Sequence, residues 1–194
     1  MSRGGGIRSA RFLAVSTGLR IIATPVVMGL LMIDGTTPGS LATAAAIVFC
    51  LAAATDWIDG RLARRWGVTT MLGSFLDTTA DKLLVTGVLV TLVAVERASP
   101  WIVVLIIGRE LVIMGLRGVI AAGGTVMEPS SLGKLKTTVQ FLAIALAIVR
   151  LGEPVAGLYI DEWVMLAAAA ITLASAVDYL TRFASSLSPR SAQQ

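Results

Sequence analysis

The sequence predicts an all-α integral membrane protein of six transmembrane helices with a short N-terminal cytoplasmic juxtamembrane segment. Two observations carry this. Of 194 residues, 56% are hydrophobic and only 14% charged, where a soluble domain carries about 25% charge. Several apolar runs also reach the roughly 20 residues that span a bilayer.

Six spans follow in order, at about 12–33, 40–62, 72–96, 100–122, 132–151 and 161–184. The first comes after the Arg-rich start MSRGGGIRSAR and is too long for the short apolar region of a cleaved signal peptide. It reads as a retained helix. Turn chemistry marks the breaks: Asp34-Gly35 through Pro38-Gly39, Trp66-Gly67, Ser99-Pro100, Gly123-Gly124 through Pro129, and Gly152-Glu153-Pro154. The expected division is a cytoplasmic segment 1–11, a membrane domain 12–184 and a cytoplasmic tail 185–194. No internal repeat stands out, and no loop is long enough for a second domain.

Charge sets the orientation. Arg3, Arg8 and Arg11 precede the first span, and Arg61, Arg64 and Arg65 fall between the second and third. Lys134 and Lys136 follow the fourth-to-fifth loop, and Arg182 and Arg190 close the chain. The other three loops hold Asp34, Glu96, Glu153, Asp161 and Glu162 with only Arg97 and Arg150. Both termini are therefore expected in the cytoplasm, and six spans give the even number this demands. The net charge of +4 is explained by these loops and does not call for nucleic acid. Compact size and the lack of a targeting segment point to a bacterial inner membrane.

Composition also narrows the chemistry. The single Cys50 excludes a disulfide framework. Histidine is absent, so metal binding and general-base work fall to carboxylates. The stretch TDWIDGRLARRWGVTTMLGSFLDTTADKLL supplies four: Asp56 and Asp59 three residues apart, Asp77 and Asp81 four apart. Both spacings place a pair on one helical face. Two helices joined by a short cytoplasmic loop would bring the faces together. Four like charges in an apolar setting demand protonation or cations. Hard oxygen ligands suit Mg²⁺ or Mn²⁺, and two such ions could activate a hydroxyl and stabilise a leaving phosphate. The alternative is that these residues cap helices or pair with Arg61, Arg64, Arg65 and Lys82. A proton or cation transporter would also use intramembrane carboxylates, but would spread them across the bilayer. Here they concentrate in the cytoplasmic halves of two spans.

Gly60 and Gly73 would let a nucleotide or a neighbouring helix approach the backbone. Arg64, one turn beyond Gly60, could hold a phosphate through paired donors. In the second half, Arg109 lies inside an apolar run, costly unless it faces a polar cavity or pairs. Glu110 is its neighbour in sequence, although adjacent helix positions do not face each other. Arg117, Lys134 and Lys136 lie nearer the cytoplasmic end, where a basic pocket would suit a phosphate-bearing substrate. For Lys134, Lys136 and Arg182, ordinary charge anchoring at the membrane surface is the competing reading.

The run Asp56-x2-Asp59-Gly60-x2-Ala63-Arg64-x8-Gly73-x3-Asp77-x3-Asp81 resembles the complete signature of the CDP-alcohol phosphotransferase family. The resemblance implies six transmembrane helices, usually a homodimer, and a two-metal site open to the cytoplasm. It implies that Asp56, Asp59 and Asp77 bind metal, and that Asp81, beside the metals, deprotonates the acceptor. Gly60, Arg64 and Thr70 would contact the CDP part of a CDP-diacylglycerol donor, with Gly73 and Ser74 lining the same pocket and Thr17 contributing from the first span. The blocks Gly108-Arg109-Glu110, Gly115-Leu116-Arg117 and Gly133-Lys134-Leu135-Lys136-Thr137-Thr138-x-Gln140 look like the branch that uses sn-glycerol 3-phosphate. Arg109, Arg117, Lys134, Lys136 and Arg182 would then bind the acceptor phosphate. Inositol phosphate and phosphatidylglycerol are the alternative acceptors. Two positions depart from that branch: Ala14 stands where Asn is common, with Thr17 and Arg20 kept, and Thr78 replaces a Pro.

Overall fold

The computed structural model describes residues 3–66, 71–122 and 131–186. It is all-helical, with α1 (Arg3–Asp34), α2 (Ser40–Trp66), α3 (Met71–Ala94), α4 (Pro100–Ala122), α5 (Ser131–Val149) and α6 (Ile160–Ser186). Every expected span coincides with one helix. Two helices outrun their apolar spans: α1 starts at Arg3 and α2 continues through Arg61, Arg64 and Arg65 to Trp66. Neither polar extension contains an interior Pro, and Gly67 is the first strong breaker after α2.

Local chemistry sets the ends. Gly35, with φ 77°, closes α1 by donating to the Leu31 carbonyl at 3.0 Å, the left-handed C-terminal cap that Gly favours. At the end of α3, Glu96 N–H reaches Val93 O at 3.1 Å and Arg97 N–H reaches Leu92 O at 2.8 Å. That double closure puts Glu96 at φ 58°, where Gly is usual. α4 opens on Pro100, whose missing N–H is no loss at a first helical position. Between α5 and α6, Val155 and Leu158 form an isolated antiparallel bridge around Ala156 and Gly157, both at positive φ.

Two stretches, Val15–Asp34 and Ile160–Phe183, are long and apolar enough to cross a bilayer. Length is not what sets α3 and α4 apart from them. Asp77, Asp81 and Lys82 fall within every 18-residue stretch of α3, and Arg109, Glu110 and Arg117 within every such stretch of α4. The charges that lower their hydropathy are candidate site residues and their neighbours. Large apolar side chains cover outward faces, Ile33, Trp101 and Val119 among them, surfaces suited to an apolar surrounding.

The chain packs as two units, Met1–Ala98 with Ile144–Leu151, and Ser99–Ala143 with Gly152–Gln194. In the first, α1 packs along both α2 and α3, burying Val27, Leu31, Phe49, Leu84, Val88 and Leu89. Gly87 makes the α1–α3 approach close: a methyl group there would stand 2.9 Å from Thr24 Cγ2 and 3.0 Å from Met28 Sδ. In the second, α4 packs on α6 over Val103, Ile106, Ile113, Met165 and Ala168.

Arg97 ties the loop end of the first unit. Its side chain is fully buried, and it donates to Asp34 Oδ2 at 2.9 Å, Gly35 O at 2.6 Å, Ile148 O at 2.8 Å and Thr36 O at 3.4 Å. One guanidinium thus joins the α1–α2 loop, the α3 terminus and the end of α5. Its partner carboxylate, 5% exposed, also accepts from Gly39 N–H at 2.9 Å. This accounts for a cation in a loop otherwise short of them: its charge is matched inside the protein. Arg97→Met is expected to destabilise by about 3–5 kcal/mol, because it strands a buried carboxylate. Arg97→Met with Asp34→Leu should recover part of that loss, as read from thermal unfolding in detergent. Equal loss in the single and double variants would refute the pairing.

Candidate active site

The site side of the first unit is built on α1 as much as on α3. Ser16, Thr17, Arg20 and Thr24 recur at helical spacing on α1, and all four are buried. Thr24 Oγ1 donates to the Arg20 carbonyl at 2.9 Å, which removes its own polar demand within the helix. Arg20 reaches across to α3: Nη2 donates to Asp77 Oδ1 at 2.8 Å and to Ser16 Oγ at 3.3 Å, and Nη1 to the Asp77 carbonyl at 3.5 Å. Thr17 Oγ1 donates to the same Asp77 Oδ1 at 3.4 Å. The Asp77 side chain remains 39% exposed while Arg20 is 1% exposed. One carboxylate oxygen is therefore fixed from the protein side, and the group still faces outward.

Asp81 lies one turn further along α3, on the same face as Asp77. Its Oδ2 pairs with Lys82 Nζ at 3.2 Å, one of the pairings the sequence allowed. Gly73 is exposed near the start of α3. α2 carries Asp56, Asp59, Gly60 and Arg64 on its last turns. Their side chains, with those of Ser74 and Lys134, lie outside the described residues, as does Thr70 altogether. Among the described residues no three Asp, Glu, Cys or His side chains gather as a metal-binding group; the meeting of the two Asp pairs falls on α2 side chains outside that set. The described donors, Asp77 and Asp81, are hard oxygen ligands of the kind Mg²⁺ or Mn²⁺ takes.

Thr17, expected to touch a donor, has Asp77 as a partner for its hydroxyl. Arg20, kept with Thr17 in the first-span pattern, is the residue that holds Asp77. The link spans 57 positions in sequence, so only packing of α1 on α3 reveals it.

In the second unit, Arg109 is not left bare in its apolar run. Nη1 donates to Glu110 Oε1 at 3.1 Å, and Nη2 donates to Ser175 Oγ on α6 at 2.7 Å. Adjacent helix positions do not share a face, yet both side chains are long enough to curl together. Lys136 on α5 donates to the same Glu110 Oε1. Glu110 and Lys136 are buried, and the Arg109 side chain is 11% exposed. Further along, the Arg117 guanidinium lies 5.5 Å from the centre of the Tyr179 ring, an attraction between a cation and a ring face. Arg182 is 54% exposed and pairs with Asp178 at 3.0 Å, one turn back on α6. Ser175 and Tyr179 are the partners here that the sequence did not single out, whereas Glu110 was visible as the neighbour of Arg109.

The family model described as CDP-alcohol phosphatidyltransferase matches residues 14–180. The chain belongs to that family. It is 41% identical over 143 residues to the CDP-diacylglycerol--glycerol-3-phosphate 3-phosphatidyltransferase of Escherichia coli K12, covering 71% of this chain and 77% of that one. It is 36% identical over 179 residues to a Mycobacterium tuberculosis protein named probable phosphatidylglycerophosphate synthase, covering 92% and 84%. The Bacillus subtilis protein named as in Escherichia coli is 46% identical over 102 residues, and there the match spans 53% of either chain.

The two holds on Asp77 should act as one unit. Thr17→Val and Arg20→Met are each expected to destabilise, and the double variant should lose less or more than their sum by about 0.5–3 kcal/mol. Thermal unfolding of the four proteins measures this; strict additivity would mean Thr17 does not work through Asp77.

Proposed function

We propose that this chain transfers the phosphatidyl group of CDP-diacylglycerol to sn-glycerol 3-phosphate, giving phosphatidylglycerophosphate and CMP. The observation that carries the reading is the full eight-position signature on α2 and α3 within a family match spanning 14–180. The acceptor rests on relatives named for glycerol 3-phosphate and is supported by the buried cations Arg109 and Lys136.

Asp56, Asp59, Asp77 and Asp81 would hold two divalent ions, Mg²⁺ or Mn²⁺, whose charge would neutralise the pyrophosphate and the departing CMP. Gly60, Arg64, Thr70, Gly73 and Ser74 would receive the CDP portion, with Thr17 contributing from α1 beside Asp77. Asp81 takes the proton of the acceptor hydroxyl. The freed oxygen attacks the phosphorus that bears diacylglycerol, the bond to the CMP oxygen breaks, and CMP leaves. Arg109, Arg117, Lys134, Lys136 and Arg182 are the cations for the acceptor's phosphate. Most of the acceleration then comes from positioning and electrostatics.

The same reading places the six helices across a bacterial inner membrane with both termini in the cytoplasm. It takes residues 12–184 as the membrane domain and a homodimer as the working form. The charge pattern of the loops supports the orientation.

Purified protein supplied with CDP-diacylglycerol and Mg²⁺ or Mn²⁺ should release CMP on adding glycerol 3-phosphate, and chelation should stop it. CMP release only with inositol phosphate or with phosphatidylglycerol would reassign the acceptor. Asp81→Asn should slow turnover by about 10²–10⁴-fold while donor binding stays measurable. Full turnover in that variant would remove Asp81 from its role.

A further inference from the structure

The first unit holds two buried arginines paired with aspartates, and the two pairs are built differently. Arg97 and Asp34 are 0% and 5% exposed, so both charges are shut away. Arg20 is 1% exposed while its partner Asp77 is 39% exposed. The hydration lost by Arg20 is a cost, and what it secures is a carboxylate whose outer side stays open. The grip on Asp77 is also directional. Arg20 Nη2 donates to Oδ1 at 2.8 Å and Nη1 to the main-chain carbonyl at 3.5 Å, so one guanidinium spans the side chain and backbone of the same residue. Thr17 Oγ1 donates to that same Oδ1 at 3.4 Å. Ser16 Oγ, one turn before Arg20 on α1, accepts from Nη2 at 3.3 Å and steadies the guanidinium in turn. Ser16, Thr17 and Arg20 are all buried.

We propose that Arg20, seated by Ser16 and assisted by Thr17, is a positioning residue that holds Asp77 ready for a divalent ion. The carboxylate is oriented before any ion arrives, so binding need not order it. Supports of this kind behind a metal ligand typically set affinity by about 10–100-fold. Orientation and charge act here with opposite sign. As a bare positive charge, Arg20 repels an incoming cation and weakens its binding. As a fixed fork on Asp77 it strengthens that binding. Variants that keep the charge and disturb only the hold therefore separate the two effects. The inference rests on the proposed metal-dependent transfer, in which Asp77 is a ligand, and its test can fail separately from that reading.

The experiment titrates the full chain in detergent with Mn²⁺, without donor or acceptor, and reads the free ion by electron paramagnetic resonance. Arg20→Lys keeps the charge but lacks the planar fork, and should raise the Mn²⁺ dissociation constant by about tenfold. Thr17→Val and Ser16→Ala alter no charge and should each raise it by about threefold, the worth of one hydrogen bond. In CMP-release assays the Mn²⁺ needed for half-maximal rate should rise in step, with kcat at saturating Mn²⁺ within about threefold of wild type. Arg97→Met, which breaks the closed pair of the same unit, should leave the Mn²⁺ constant unchanged. Wild-type affinity in all three α1 variants would overturn the role of Arg20 while the metal site stands. A similar rise in Arg97→Met would trace the effect to general loosening of the fold and overturn it too. Wild type that binds no Mn²⁺ would remove the metal reading, and this inference with it.

Discussion

Charge inside an apolar chain must be matched, and most of what distinguishes this protein follows from how each buried cation is matched. Arg97, Arg20 and the Arg109–Lys136 pair each meet a carboxylate. The three solutions differ in completeness. Arg97 has its donors occupied by one carboxylate and three backbone carbonyls, and its partner Asp34 is almost fully enclosed. That arrangement is closed and holds loops together. Arg20 is enclosed too, yet its partner Asp77 is more than a third open. That arrangement is rigid on one side and available on the other, which is what a preorganised ligand needs. Arg109 and Lys136 both donate to a single carboxylate oxygen, Glu110 Oε1.

Burial alone does not sort these cations, since it would group Arg97 with Lys136. Exposure alone would favour Arg182, whose pairing with Asp178 on a single helix is the weak surface kind. Partner type tells them apart: Arg97 is held by one carboxylate and three backbone carbonyls, whereas Arg109 and Lys136 meet at one oxygen of Glu110.

Helix number and position were legible in the sequence because apolar length and turn residues are local properties. The break at Ser99-Pro100 and the cap at Gly35 are read within four or five residues. The Asp spacings on α2 and α3 are local as well, and so is the signature that places the chain in its family. Long-range pairing was not legible. Arg97 looked like a loop cation on the wrong side of the charge pattern, and its match with Asp34 lies 63 positions away. Ser175 sits in the run Leu-Ala-Ser-Ala-Val, where nothing local separates it from a small packing residue. Its role comes from α4 lying against α6, 66 positions apart at the contact. Glu110 was visible as a neighbour but discounted on helix geometry, which governs Cβ direction and not the reach of two long side chains.

The acidic and basic groups impose opposite electrostatic demands. A carboxylate quartet attracts cations and repels any phosphate that lacks them. Clustered cations attract phosphate directly. The chain carries the first on α2 and α3 and the second on α4, α5 and α6, in different packing units. Each group can then be tuned by its own neighbours: Arg20 offsets part of the negative charge at Asp77, and Glu110 offsets part of the positive charge at Arg109 and Lys136. Under the proposed function the first group would meet metal ions and the second the acceptor's phosphate, so a chain with no histidine would divide the two tasks between carboxylates and cations.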